Sequence, residues 1–201
     1  MTDDILQSRR PRRTNGLAFF LGFLRQPELV GSVIPSSRFL ERRVVDVADI
    51  ASARTVVELG PGTGGTTRAI LEALPADGRV LTMEIDPEFV ALLRRNRDPR
   101  LVVHHASAER IREALQERVL PAPDVVISGI PFSTMPREQG RGILRAVWSS
   151  LAPGGRFVAY QFRGHVARLE RELLGRPDTE VELLNVPPMR VYRWRKPAES
   201  S

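Results

Sequence analysis

Residues 56–67 read VVELGPGTGGTT. An unbroken aliphatic run, interrupted only by Glu58, gives way to glycines at positions 60, 62, 64 and 65. Such a run suits a strand buried on both faces, and the glycines end it. A strand that turns through glycines into a helix is the junction where an open parallel sheet binds a nucleotide. Gly60, Gly62 and Gly64 let backbone approach a ligand closely. The N-terminus of the next helix can hold a carboxylate or a phosphate. Two ligand patterns overlap here. Gly60, Gly62 and Gly65 satisfy the dinucleotide spacing G-x-G-x-x-G. Glu58, Gly60, Gly62 and Gly64 satisfy the acidic-x-G-x-G-x-G spacing of enzymes that use S-adenosylmethionine (SAM). Glu58 favours the second, because a carboxylate facing the loop suits an ammonium group and repels a pyrophosphate. Pro61 and Thr63 complete the loop, and Thr67, in the first helical turn, can help fix it.

Working outward, strands and helices alternate. Strands are expected at Thr55–Leu59, Val80–Ile85, Leu101–His105, Asp124–Ser128 and Arg156–Phe162. Helices are expected near 64–74, 87–96, 108–118, 137–151 and 164–174. Runs at Glu180–Val186 and Arg190–Trp194 flank Asn185-Val-Pro-Pro188 and read as a closing hairpin. The pattern predicts an α/β fold: a Rossmann-like, seven-stranded, mostly parallel sheet with helices on both faces and an antiparallel hairpin at its C-terminal edge. Upstream, Ser36 or Ser37 caps a helix over about 37–50, with Phe39, Leu40, Val44 and Val47 at helical spacing. Residues 1–14 are expected to be a mobile basic tail, 15–50 N-terminal helices that meet a membrane or form a lid over substrate, and 51–197 the SAM-binding catalytic domain.

Length and composition agree with one soluble domain: 201 residues, 42% hydrophobic and 27% charged. With no cysteine and three histidines, no metal site is expected. The net charge is +6, carried almost wholly by arginine, since Lys196 is the only lysine. A basic surface suits nucleic acid, an anionic membrane or an acidic ligand. Leu17–Leu24 is apolar for eight residues, too short for the ~20 that a membrane span needs. Arg25-Gln-Pro-Glu28 follows it, with no small-residue cleavage site of a secretory leader.

Two further strand ends carry candidate ligand contacts. Glu84 can accept hydrogen bonds from both hydroxyls of a ribose, and Ile85 can lie against an adenine face. Asp86 reads as the cap of the helix that Pro87 begins. Ser107 can offer one hydrogen bond to the adenine edge where SAM enzymes commonly have an Asp, with Ala108 beside it. His104 and His105 point to opposite faces, so one at most faces a given site.

These pieces together resemble the class I SAM-dependent methyltransferases, and among them the bacterial phospholipid N-methyltransferases related to rRNA adenine dimethyltransferases. The match rests on Phe19-Phe-Leu-Gly-Phe-Leu-Arg-Gln-Pro27, Val30-Gly-Ser-Val-Ile-Pro-Ser-Ser37, Val57-Glu-Leu-Gly-Pro-Gly-Thr-Gly64 and Ser128-Gly-Ile-Pro-Phe132. The resemblance implies SAM as cofactor and the amine of phosphatidylethanolamine, or its methylated derivatives, as substrate. It also implies a cytoplasmic protein attached peripherally to the inner membrane face. Phe19, Phe20, Phe23, Leu24 and Arg25 would then meet the lipid surface, each close cation contributing about 1 kcal/mol. The 17–24 run is apolar all round, which fits a helix covering the core equally well.

The turn Ser128-Gly129-Ile130-Pro131-Phe132 stands where many amine methylases carry Asn-Pro-Pro-aromatic. A nucleobase amine is conjugated with its ring, and an Asn oxygen helps localise its lone pair. Ser128 is a shorter acceptor, so the turn argues against a nucleobase more than against methylation. Candidate catalytic groups are Ser128, Gly129 and Ile130, mainly through their carbonyls, and Tyr160, a weak proton acceptor. Ser128 also counts as a cofactor contact. Ile34, Pro35, Ser36, Pro131 and Phe132 are the expected substrate contacts, with the Phe132 ring facing a methylammonium. The rival readings are an rRNA adenine methyltransferase, a small-molecule N-methyltransferase, an NAD-dependent oxidoreductase and a non-catalytic SAM-binding protein. The missing Asn and the absence of a helical RNA-binding domain after residue 197 argue against nucleic acid as partner.

Overall fold

The computed structural model describes residues 37–162 and 164–198. Seven strands form one sheet in the order β3-β2-β1-β4-β5-β7-β6. They are β1 (Thr55–Leu59), β2 (Arg79–Glu84), β3 (Leu101–His105), β4 (Val125–Ser128), β5 (Arg156–Gln161), β6 (Asp178–Glu182) and β7 (Met189–Arg195). β1 to β5 run parallel, and β7 runs antiparallel to both β5 and β6. The chain order reverses beside β1, and both β2 and β4 pair with it. In this topology the reversal opens a crevice at the carboxyl ends of the strands.

The period-two alternation of the strands divides the core into two faces. Val57, Leu81, Val126 and Phe157 point to one face, where α4 (Ile111–Glu117) and α5 (Arg137–Ser150) cover them. Val56, Val80, Val125, Ile127 and Val158 point to the other, covered by α1 (Arg38–Ala48) and α2 (Gly65–Ala73). All five residues of β1 are buried, as expected of a strand covered on both sides.

Element ends follow local chemistry. Ser37 caps α1 by accepting from Leu40 N–H at 3.2 Å. The helix stops at Ala48, where Asp49 takes a left-handed conformation with φ 51°. Asp86 caps α3 (Pro87–Leu93), accepting from Glu88 N–H at 2.8 Å. A short 3-10 turn over Ala108–Arg110 precedes α4.

Two expectations need correction. The helix expected over 164–174 is broken into α6 (Val166–Leu169) and α7 (Arg171–Leu174). Glu170 sits at the break with φ −136°, its carboxylate bonded by Arg141 Nε at 2.7 Å and met by Arg145 Nε at 3.0 Å. Binding two arginines of α5 takes Glu170 out of helical geometry. The strand expected over Glu180–Val186 ends at Glu182. Asn185 donates to the Pro187 carbonyl and accepts from Ser37 N–H, and two prolines lack the N–H a ladder needs. Residues 183–188 are therefore the tip of the hairpin. Its second strand, β7, lies inside the sheet, and β6 forms the edge.

Candidate active site

The carboxyl ends of β1, β2, β3 and β4 meet around one cavity of about 360 Å³. The glycine loop forms one rim. Gly62 has φ +55°, and a Cβ there would meet nothing within 4 Å, so space lies open above the loop. At Gly60, φ is +68° and a Cβ would come to 3.0 Å from Ile130 Cγ1, which leaves glycine as the residue that fits between loop and turn.

Beneath the loop lies Glu58, 1% exposed. Thr67 Oγ1 donates to its Oε2 at 2.6 Å, while Oε1 is buried and has no hydrogen-bond partner among the described residues. Burial pushes this carboxyl up to about 8, against the Thr67 hydrogen bond that stabilises the charged form. The negative charges of Glu84 and Glu41 push in the same direction as burial. Glu84 closes the adjoining wall. Its Oε2 accepts from Gly62 N–H at 3.1 Å, and its Oε1 accepts from Ile85 N–H at 2.7 Å and Asp86 N–H at 3.0 Å. Burial raises this carboxyl too, and the three backbone donors oppose the rise.

The opposite walls are apolar. Met83, Ile85, Ala106 and Ala108 come from β2, β3 and the segments after them, and Ile130, Met135 and Ile143 close the far side. Ser107 lies at the cavity, where its hydroxyl also caps the turn through Glu109 N–H at 3.4 Å. His105 lines the cavity with its Nε2 3.1 Å from the Ile85 carbonyl. His104 faces away, 3.7 Å from Glu117 of α4, and burial lowers its affinity for a proton.

This donor set fits SAM. A buried carboxylate oxygen without a partner suits an ammonium group, a second carboxylate at a strand end suits a ribose, and an apolar slot beyond it suits a purine. A family model described as a methyltransferase domain matches residues 57–157. An ornithine lipid N-methyltransferase of Singulisphaera acidiphila is 35% identical over 185 residues, 90% of this chain and 96% of that protein. The chain belongs to the SAM-dependent methyltransferases.

Other relatives share less of this methyltransferase. A ribosomal RNA small subunit methyltransferase A of Streptomyces coelicolor is 36% identical, over 46% of this chain and 32% of that protein. The fold recurs in an RNA methyltransferase from Salinibacter ruber solved with S-adenosyl-L-homocysteine. That structure has a TM-score of 0.58 and 20% identity, covering 84% of this chain and 97% of that one.

Of the residues expected from sequence, Gly60, Glu84, Ile85, Ser107, Ala108 and Ile130 line the cavity. Glu58 and Thr67 lie under the glycine loop. Pro61 is buried and its carbonyl accepts from Gly64 N–H, while Thr63 is exposed on the loop. Two expectations are corrected at the turn. Phe132 is fully buried in the core under α5 and offers no ring face to a ligand. The Ser128 hydroxyl is also fully buried and accepts from Ile130 N–H at 3.3 Å, so it braces the turn instead of facing a substrate. Tyr160 comes from the face under α1 and α2, and its hydroxyl lies against Gly129 of the turn, 3.3 Å from Thr66 Oγ1. Pro131 is half-buried. Ile34, Pro35, Ser36, Phe19, Phe20, Phe23, Leu24 and Arg25 lie outside the described residues.

Sequence reasoning missed Met135, Gln139 and Ile143, which line the far wall at four-residue spacing along the approach to α5 and its first turns. That spacing was the available signal. It also missed Gln161, buried at the end of β5, whose Nε2 donates to the Ile130 carbonyl at 2.6 Å. A polar residue closing an apolar strand at the ligand-binding edge was the clue there.

Proposed function

We propose that this methyltransferase methylates the aliphatic amine of a membrane lipid, with a headgroup of the phosphatidylethanolamine or ornithine-lipid kind. The observation that carries this reading is the turn 128–132. Its only polar side chain near the strand end, that of Ser128, is spent on Ile130 N–H, and its aromatic ring is in the core. The turn's own side chains leave no acceptor to localise the lone pair of a nucleobase amine. An aliphatic amine needs no such help once it has lost its proton. Similarity over 96% of a lipid N-methyltransferase, against 32% of an rRNA methyltransferase, supports the same choice.

When bound, SAM supplies a methyl group on a positively charged sulfur, open to direct displacement. The chain's own groups would do the rest. Glu58 Oε1 would accept from the ammonium, and Glu84 would accept from the ribose hydroxyls. Ile85 would cover the adenine, with Ser107 and Ala108 at its edge. The backbone of Gly129 and Ile130 would line the approach of the amine. Gln161 holds the Ile130 carbonyl, and Tyr160 packs against Gly129, so both would act as positioning residues. Holding the amine in line with the methyl group supplies much of the rate. None of the turn's own side chains is placed as a base, and the ammonium proton would pass to water before attack.

The test is incubation with methyl-labelled SAM and, in parallel, phosphatidylethanolamine in micelles, an ornithine lipid in micelles, rRNA and small amines. Label in mono-, di- or trimethylated lipid is expected. Label confined to RNA or to small amines overturns the reading.

A further inference from the structure

We infer that the tip of the β6–β7 hairpin, residues 183–188, docks the protein onto an anionic lipid bilayer, an inference that rests on the lipid-amine reading above. Leu183, Leu184 and Val186 are 71%, 63% and 73% exposed, unusual values for three aliphatic side chains within four residues. They are held outward by a rigid frame. Asn185 between them is buried, accepts from Ser37 N–H at 3.0 Å and donates to the Pro187 carbonyl at 2.9 Å. Glu182 accepts from Leu184 N–H at 2.8 Å. These bonds hold the tip with Leu183, Leu184 and Val186 outward.

Its position in the fold matters as much as its exposure. Met189 pairs with Glu182, Arg190 with Gln161, and Ala159 with Ser128. The tip therefore projects from the carboxyl edge of the sheet, the edge that carries the glycine loop and the turn 128–132. Phe162, just past β5, is also exposed at this edge, and Arg190 Nη1 donates to its carbonyl at 3.0 Å. An enzyme whose substrate amine sits at a membrane surface must present this edge to that surface.

The charges around the tip select an anionic surface. Residues 183–190 read LLNVPPMR and contain no acid. The two acids behind the tip, Glu180 and Glu182, are both met by Arg43, at 3.0 and 3.3 Å. Arg190 and Arg38, which follows the Ser37 held by Asn185, are exposed. Aliphatic side chains flanked by cations are the composition of a surface that enters the boundary of an anionic bilayer.

The full chain has no cysteine, so Leu184→Cys gives a single site for an environment-sensitive fluorophore. Phosphatidylethanolamine/phosphatidylglycerol vesicles are expected to shift its emission to the blue, and phosphatidylcholine vesicles to do so weakly. No shift on the anionic vesicles overturns the inference. So does emission already blue without vesicles, which means the protein's own chain covers the tip, and so does a shift produced by RNA alone. A triple variant, Leu183→Ser, Leu184→Ser and Val186→Ser, is expected to lose about ten-fold or more in vesicle affinity. Val119→Ser, a control away from this edge, should lose none. SAM affinity should be unchanged in both, which reports that the variants fold. Equal vesicle binding by the triple variant overturns the docking role. Failure of the wild type to methylate any lipid in micelles would instead strike the lipid-amine reading.

Discussion

Glu58 has one carboxylate oxygen bonded by Thr67 and the other buried without a partner among the described residues. The ligand-free protein holds this group protonated at neutral pH, because its affinity for a proton is pushed up to about 8 from 4.5. In the unfolded chain the same carboxyl ionises near 4.5. Between those limits the folded state retains a proton that the unfolded state has lost, so stability falls as pH rises through this window. Thermal unfolding of ligand-free protein should therefore show a steeper fall between roughly pH 5 and pH 8 in the wild type than in Glu58→Gln. An ammonium beside Oε1 favours the charged form. SAM binding at neutral pH should then release a proton, detected as a dependence of the binding heat on the buffer's ionisation heat, and Glu58→Gln should abolish that release and weaken binding about ten-fold or more.

Gly129 makes a second prediction at this scale. A Cβ there would collide with the Tyr160 hydroxyl and come to 3.0 Å from the Gly60 carbonyl. Gly129→Ala should cost about 1–3 kcal/mol by overpacking and displace the turn, with a large fall in kcat. Adding Tyr160→Phe removes the nearer obstacle and should restore part of both. If Gly129→Ala alone leaves activity intact, the turn does not approach the reacting groups. Glu58, Glu84 and Gly60 were legible in the sequence because a backbone-lined loop demands their spacing. The inward rotation of Ser128 and Phe132 was not, because a tight turn and α5 set those side-chain directions and neither is encoded in local spacing.

Among the elements, α1 and the final hairpin act as one unit. Asn185 bonds the N-terminus of α1, and Arg43 bridges from α1 to Glu180 and Glu182 of β6. Asn185→Ala removes an acceptor from Ser37 N–H and a donor from the Pro187 carbonyl in a buried position. A loss of about 1–3 kcal/mol is expected, read as a lower midpoint in urea. Hydrogen exchange should rise at the start of α1 and at the tip together; a rise confined to the tip would show that the two are not joined. The strands from β1 to β5 were readable because buried parallel strands are continuous aliphatic runs. The break at Glu170 was not, since two arginines on a distant helix cause it. Nor was the place of β7 inside the sheet, which depends on long-range pairing with β5.

For the molecule as a whole, the cavity stands where four strand ends meet, so ligand there ties those strands together. S-adenosylhomocysteine at about 100 times its Kd should stabilise the fold by about 2.7 kcal/mol. For a domain of this size that is roughly 5–10 °C in Tm. Glu84→Gln should lose most of the shift, and an undiminished shift would remove Glu84 from the ligand's contacts. The cofactor class was legible at this scale because one loop and two acids specify it. The substrate was not, because the side chains of Ser128 and Phe132 point into the core and leave backbone atoms at the strand end.

The bond between Ser37 and Asn185 joins residues 148 positions apart, and Arg43 reaches 137 positions to Glu180. A ribosome makes α1 long before either partner exists. The apolar face of α1 packs with α2, which is made soon after it, and its polar bonds to the hairpin await the end of synthesis. The last hairpin then joins the start of α1 to β6, so the bonds that close this edge are among the last the nascent chain can make.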